Sequence, residues 1–345
     1  MPRAAALAVA AVIALHPVLS AAPPADVARF LQQSSFTPAD TAALEGGNVI
    51  ARVMPGGAEH EIVTVAAVKI RATREQTTSY YGQMISYVDG KVTTAFGRFG
   101  NPPAPADVAM LALEPDELAQ IKSCKPRDCD IRIGGTALTA FRSSIDWNAP
   151  DAAERANTRV RQAIVDYAAA YMKNGNAALV SYNDRAEPVS AAEQWRGILA
   201  NSAYFQQYSP ALRDYLDQYP GKPLAGAKDV LYWVREHYTG LSPVVSIVHG
   251  VIYSDPARPD RVVVAQKQLY ASHYYDGSLA LATVIEATEG GTPVTYLVYA
   301  NRSRGDLLKG GFGGLKRKIA RDQAKSSAEQ TLGTIKSVLE QTPPR

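Results

Sequence analysis

Val244-Val245-Ser246-Ile247-Val248-His249-Gly250-Val251-Ile252-Tyr253 is the first of four β-type segments in succession, followed by residues 261–272, 278–287 and 294–301. All four are rich in Val, Ile, Leu and Tyr, and turn chemistry separates them. Ser254-Asp255-Pro256 and Pro259-Asp260 cannot continue a ladder, because proline has no amide donor. Asp276-Gly277 and Gly290-Gly291 supply the positive backbone angles of tight turns. Short connections favour antiparallel neighbours, so the four segments are predicted to form a meander.

One long helix closes this stretch. Leu315, Ile319, Ala320, Ala324, Ala328, Leu332, Ile335 and Leu339 recur in steps of mostly three and four, which lays one apolar stripe along it. From Leu315 to Glu340 it is expected to run roughly 39 Å, the width of a domain. Gly333 inside it costs about 1 kcal/mol relative to alanine. A helix of that length needs a surface, and the meander offers one.

The chain has 345 residues, 46% hydrophobic and 20% charged, enough for one large or two ordinary globular domains. A net charge of +3, with no basic run interleaved with aromatics, argues against nucleic acid as a partner. Arg3, the apolar residues 4–15 and the small residues Ser20, Ala21 and Ala22 before Pro23-Pro24 read as a signal peptide. No later stretch approaches the roughly 18 apolar residues of a membrane span, so a periplasmic or secreted protein is expected. Cys124 and Cys129, in Cys-Lys-Pro-Arg-Asp-Cys, suit that compartment as a structural disulfide, and closing so short a loop contributes about 2 kcal/mol. Active thiols are the alternative, but the spacing is neither that of a redox C-x-x-C nor that of a zinc set.

Along the mature chain, Thr37-Pro38-Ala39-Asp40 starts a helix that Gly46-Gly47 stops. Residues 48–54 and 61–70 read as a strand pair across Pro55-Gly56-Gly57. Thr73 to Gln76 is a capping box opening a helix that carries Tyr80, Tyr81, Met84 and Ile85. Residues 92–99 and 130–133 are expected strands, with a short helix from Pro115 between them. From 150 to 240 the period is helical throughout, with helices at 150–172, after Ser190, from Ser209-Pro210 to Pro220-Gly221, and at 228–238.

Three residue choices bear on function. Tyrosine is heavily used, 18 against 7 Phe and 3 Trp, and its apolar ring and polar tip suit a cavity lining as well as half-buried packing. His237, His249 and His273 fall on separate predicted elements without metal-ligand spacing, so no metal is expected. His273 and Asp276 flank a turn, where the histidine reads as bonded to its neighbours and, in the enzymatic alternative, the pair as base and orienter; His249 reads as a core residue. Arg302, Arg304, Lys309, Lys316, Arg317, Lys318 and Arg321 surround Gly310-Gly311-Phe312-Gly313-Gly314, which lacks the Walker spacing of a nucleotide site. They are read as a hinge, or as a basic rim meeting anionic membrane lipids. No G-x-S-x-G nucleophile elbow occurs.

Strand and helix near the start, an antiparallel meander later and a long terminal helix resemble the helix-grip fold of the START and Bet v 1-like superfamily. The matching parts are residues 48–84 and 244–339; the cysteine region and the helical block depart from the pattern. Asp229-Val230-Leu231-Tyr232-Trp233, residues 267–275, residues 296–304 and the Cys124 to Cys129 loop also resemble an uncharacterised family of exported bacterial proteins. The superfamily resemblance implies a curved sheet gripping the terminal helix around an apolar cavity.

The fold class expected is therefore α+β: an antiparallel sheet packed on a long C-terminal helix, with a large helical insertion. Its parts are a signal peptide at 1–22, an N-terminal α/β part at 23–149, the insertion at 150–242, and the meander and helix at 243–345, sharing one core with residues 48–85. The expected function is non-catalytic binding of a hydrophobic or amphipathic small molecule, such as a lipid, with no cofactor. A hydrolase or cyclase-like enzyme using the same cavity and an envelope interaction protein are the alternatives. Lys267, Tyr270, Leu281, Tyr296 and Arg302 are the expected ligand contacts, with Lys267 and Arg302 nearest a polar head group. Strand alternation sets Lys267 and Leu269 on one sheet face and Tyr270 on the other, so the two cannot both line one cavity.

Overall fold

A computed structural model describes residues 22–58, 60–86, 90–132, 134–306 and 313–341. The expected signal segment up to residue 21, Lys309 and the first three residues of the glycine-rich loop lie outside them. An eight-stranded antiparallel sheet organises the chain, in the order β1-β2-β10-β9-β8-β7-β6-β3. These strands are β1 (Ile50–Met54), β2 (Glu61–Ile70), β3 (Thr93–Arg98), β6 (Ala227–Glu236), β7 (Val244–Ser254), β8 (Arg261–Ala271), β9 (Tyr275–Glu289) and β10 (Thr292–Gly305). The short β4 (Ser181–Tyr182) and β5 (Val189–Ser190) pair with each other apart from it.

The meander is thus five strands, β6 to β10, rather than four. The early hairpin β1-β2 docks against the last strand, with Val298 opposite Ala67 and Val294 opposite Ala287 fixing β10 between β2 and β9. Residues 228–238, expected as a helix, form most of β6. Both faces of that strand are covered: Leu231 and Trp233 are buried on one side and Tyr232 on the other. Two-sided burial erases strand alternation, and a short apolar run then has no period by which to tell strand from helix. Residues 130–132 form no strand.

Gly290 and Gly291, at φ +56° and +83°, make the two-residue turn between β9 and β10. Asp276-Gly277 is not a turn. The chain reverses at residues 272–274, where Tyr274 takes φ +64°, and Asp276 is already inside β9. Across that strand Arg304 faces Gly277 and Gly305 faces Tyr275, so Asp276 is bulged out of register.

Helices cover both faces. On one lie α3 (Arg74–Met84) and the terminal α10 (Gly313–Gln341). The first helical turn of α3 is fixed by a capping box: the Thr73 amide donates to Gln76 Oε1 at 2.9 Å and the Gln76 amide to Thr73 Oγ1 at 3.2 Å. Tyr81 of α3 and Ala328, Leu332 and Ile335 of α10 share one cluster with Ala66, Val68, Ile70, Val264, Ala282, Val284 and Leu297 of the sheet. The apolar stripe of α10 holds in its C-terminal half but not near its start, where Ile319 is 49% exposed. The helix rests on β1 and β2, while α3 lies over β8, β9 and β10.

The opposite face carries the rest: α1 (Ala25–Gln33), α2 (Pro38–Glu45), α6 (Ala152–Asn174), α7 (Ala191–Ala200), α8 (Ala203–Tyr208) and α9 (Pro210–Gln218). Beside them α4 (Pro115–Ser123) and α5 (Gly135–Ser143) flank the Cys124–Cys129 disulfide, whose Cα atoms are 4.7 Å apart and whose side chains pack with Ile121, Ile131 and Leu138.

Candidate functional site

Strand alternation on β6 to β10 sorts the side chains between the two faces, and bulges revise it at two points. Leu269 is extra in β8, because Gln268 faces Val248 and Tyr270 faces Ile247. Tyr270 is thereby returned to the face of Lys267, contrary to the alternation expected from sequence. The bulge at Asp276 acts in reverse, sending Asp276 to the helical block and Tyr275 to the face of α3.

All five expected ligand contacts fall on the helical-block face, away from α3 and α10, and each has a protein partner. Lys267 is wholly buried, donates to Asn176 Oδ1 and to the Leu216 carbonyl at 3.4 Å, and stands 4.2 Å above the Trp195 ring and 5.3 Å from that of Tyr171. Burial pushes its ammonium down to about 7 against the pull of Asp217. The Tyr270 hydroxyl donates to the Arg132 carbonyl at 2.9 Å. Leu281 packs with Trp195, Ile198 and Phe205. Tyr296 donates to the Glu45 carboxylate at 2.9 Å, and Arg302 pairs with Glu61. These residues line the seam between sheet and helical block, not the space beneath the terminal helix.

The expected base and orienter are not brought together as a couple. His273 Nδ1 lies 3.1 Å from Ser272 Oγ and burial pushes the ring down to about 4, while Asp276 is held by Arg132 at 2.6 Å. His249 meets a carboxylate within hydrogen-bond distance: its Nε2 is 2.7 Å from Asp229 Oδ1 and its Nδ1 2.9 Å from the Tyr171 hydroxyl. Tyr215 donates to the other Asp229 oxygen at 2.7 Å. Burial lowers the His249 pKa, so the neutral ring donates from Nε2 to the carboxylate and accepts the Tyr171 proton at Nδ1. One end of this chain, Tyr171, has no exposed surface, while Asp229 at the other is 38% exposed. Reading 228–238 as a helix hid it: Leu231 pairs with His249, which makes Asp229 the next residue along on the same face.

On the face of α3 and α10 the sheet has two halves. One is the closed apolar cluster around Val68, Val264 and Leu297. The other, toward the far ends of β6 and β8 to β10, carries Tyr232, Tyr238, Tyr275 and Tyr299 with Glu236, Gln266, Gln268 and Asn301, and Tyr81 reaches it from the apolar cluster through Gln266. The tyrosines come from five separate places in the chain. Ala280 of β9 and Gly250 of β7 lie on this face, and an added Cβ at Gly250 would meet Val230 Cγ1 at 2.9 Å and the Tyr232 ring at 3.4 Å, so the sheet there is closely covered.

Polar tips meet over this half of the sheet. Tyr81 donates to Gln266 Oε1 at 3.3 Å, Gln266 to the Tyr232 hydroxyl at 2.8 Å, Asn301 to the Tyr299 hydroxyl at 3.1 Å, and Tyr238 to Glu236 at 3.0 Å. Burial raises the pKa of all five phenols, so each stays protonated and neutral. The field of Glu236, which accepts the Tyr238 hydroxyl, adds to the shift at Tyr232, Tyr238, Tyr275 and Tyr299. Tyr238, Tyr275, Tyr299, Glu236, Gln266 and Gln268 nevertheless keep part of their surface open to solvent. Their tips are desolvated while some flanks reach solvent, and Tyr81 and Tyr232 are buried outright. Met84 of α3, Ile85 just after it and Ile252 of β7 are half-buried and pack on the edge of the apolar cluster.

Sequence reasoning noticed the abundance of tyrosine but not this grouping. Tyr275 reaches the group only through the Asp276 bulge, and Tyr232 and Glu236 only because residues 227–236 are a strand. No protein-family model matches the chain, and no curated protein matches it either. No group of His, Cys, Asp and Glu suited to a metal ion occurs among the described residues, and no described helix is long and apolar enough to cross a membrane.

Proposed function

We propose that the protein is a non-catalytic carrier of an amphipathic small molecule, held in the tyrosine recess with its apolar part along Met84, Ile85 and Ile252. The observation that carries this reading is the gathering of Tyr232, Tyr238, Tyr275 and Tyr299, the last three half-buried, on one stretch of sheet beside the closed apolar cluster that holds Tyr81. An aromatic wall with a few placed polar groups is the usual lining of a small-molecule site. Neutral phenols and amides bind and orient, and no nucleophile with an adjacent base lies among the described lining residues, which favours a carrier over a hydrolase. The helix-grip resemblance and the export-type N-terminal sequence agree with a carrier of the cell envelope.

The test is native mass spectrometry of protein purified without detergent from an envelope extract. The expected result is a small-molecule adduct released on denaturation and absent from a folded Tyr299→Leu variant. An adduct retained in full by that variant sinks the assignment of the recess.

A further inference from the structure

We infer that the first half of α10 is a docking surface for an anionic lipid bilayer. This inference stands apart from the carrier reading and does not use the tyrosine group. Residues 316–325 of α10 hold five cations, Lys316, Arg317, Lys318, Arg321 and Lys325, against one carboxylate, Asp322. That local excess of four is larger than the net charge of the whole chain, +3, so the basic character of the protein is concentrated here. The second half of the helix carries Glu329, Lys336 and Glu340, and both acids are paired, Glu329 with Lys325 at 3.2 Å and Glu340 with Lys336.

The charge sits where the helix loses its cover. Ala328, Leu332 and Ile335 are buried on the sheet, whereas Lys318, Ile319, Arg321 and Asp322 are exposed. Arg321 lies two turns before Ala328 on the same side of the helix, and its Nη2 reaches only the Val53 carbonyl, at 3.4 Å. At about 3.6 residues per turn Ile319 lies opposite Ala328, turned away from the sheet and 49% exposed. An isoleucine facing water among cations matches the two layers of a bilayer surface. Lipid phosphates meet the cations, while the apolar side chain enters the acyl boundary with the Lys and Arg stems along it. A nucleic acid would satisfy the cations and leave Ile319 in water. Binding through one such helix end is reversible and weakens with salt.

The experiment is co-sedimentation of the purified protein with vesicles of phosphatidylcholine alone, or of phosphatidylcholine and phosphatidylglycerol in equal parts. In low salt the mixed vesicles are expected to bind at least about tenfold more tightly, and about 0.5 M salt to remove the difference. Lys318→Glu with Arg321→Glu should lower affinity for the mixed vesicles at least about tenfold, and Ile319→Ser severalfold, with thermal unfolding unchanged. Reversal to Glu of Lys173 and Lys222, both exposed on the helical-block side, changes net charge equally and should leave binding within about twofold. Equal binding to both kinds of vesicle, or none, overturns the inference. An equal loss from the two double reversals overturns it too, by making net charge the cause. A duplex DNA fragment bound as tightly as the mixed vesicles, with Ile319→Ser without effect, overturns the lipid assignment in favour of a nucleic acid.

Discussion

The two faces of the sheet solve the burial of polar groups differently. On the helical-block face full charges are buried: Glu61 with Arg302 and Arg304, Arg132 with Asp276, Lys69 with Glu45, and Lys267 with neutral partners. On the face of α3 and α10 the deep polar groups are phenols, amides and hydroxyls, among them Thr77 and Thr295 with their oxygens 2.9 Å apart. The first face is sealed by six helices and the second is half covered by two. Ion pairs buried under a closed layer hold a fixed arrangement at a cost in desolvation. Neutral groups under an incomplete layer exchange protein partners for water or a ligand at little cost, which is what a binding surface requires.

Lys267 offers the largest test of that contrast. Its ammonium is lowered from 10.5 to about 7 in the fold, so between those values the unfolded chain binds more protons than the native one. Stability therefore rises with pH through that window and is lowest below it, where the buried lysine must carry its charge. The full lowering corresponds to about 5 kcal/mol. Urea unfolding of the wild type should show a gain of about 3 kcal/mol between pH 7 and 9.5. Lys267→Met, apolar and of similar length, should be more stable than wild type at pH 7 and lack this slope. A less stable Met variant would mean that the cage of Asn176, Leu216, Trp195 and Tyr171 does more than tolerate the charge.

Glu61 tests the same face with the opposite sign. Its side chain is fully buried and accepts from Arg302, from Arg304 Nε at 2.7 Å and from the Gly57 amide at 2.8 Å. Burial pushes its pKa up, but these bonds outweigh it and the carboxyl lies below its ordinary value. Glu61→Gln strands two guanidiniums in a dry seam, and denaturant unfolding should report a loss of about 3–5 kcal/mol. The paired charge and the unpaired one, both beneath the helical block, should thus answer removal in opposite directions. Equal answers would show that the face is wetter than its packing implies.

What was legible in sequence follows from how locally each feature is determined. The Thr37 cap and Pro38 start of α2, the capping box of α3, the Gly290-Gly291 turn and the apolar stripe at Ala328, Leu332 and Ile335 depend on neighbours within a few residues, and each lies where its spacing puts it. The α+β architecture, an antiparallel sheet with the terminal helix on it, followed from these parts and their order. β6 was missed because burial on both sides removed its alternation. The candidate site was missed for a related reason: which face a residue takes depends on the parity of the strand, and one extra residue reverses it. Leu269 and Asp276 are such residues, and no local signal marks them. The terminal helix was expected to cover the cavity, but it sits at the β1-β2 edge and leaves that place to α3.

The smallest expected effect belongs to the half-open face, and there its smallness is the point. The Tyr299 hydroxyl accepts from Asn301 Nδ2 at 3.1 Å, and both side chains are only partly buried. Tyr299→Phe deletes the acceptor and keeps the ring. Water that reaches this flank of the recess can take the Asn301 donor, so the net loss in stability should stay near 0.5 kcal/mol, the low end for one hydrogen bond. In a dry core the stranded amide would instead cost about 1–3 kcal/mol. A urea midpoint close to wild type, with unchanged slope, supports an open recess; a loss of about 2 kcal/mol or more would put Tyr299 in a sealed interior. The two faces would then be equally closed, and the site proposed between the tyrosines would have no entrance.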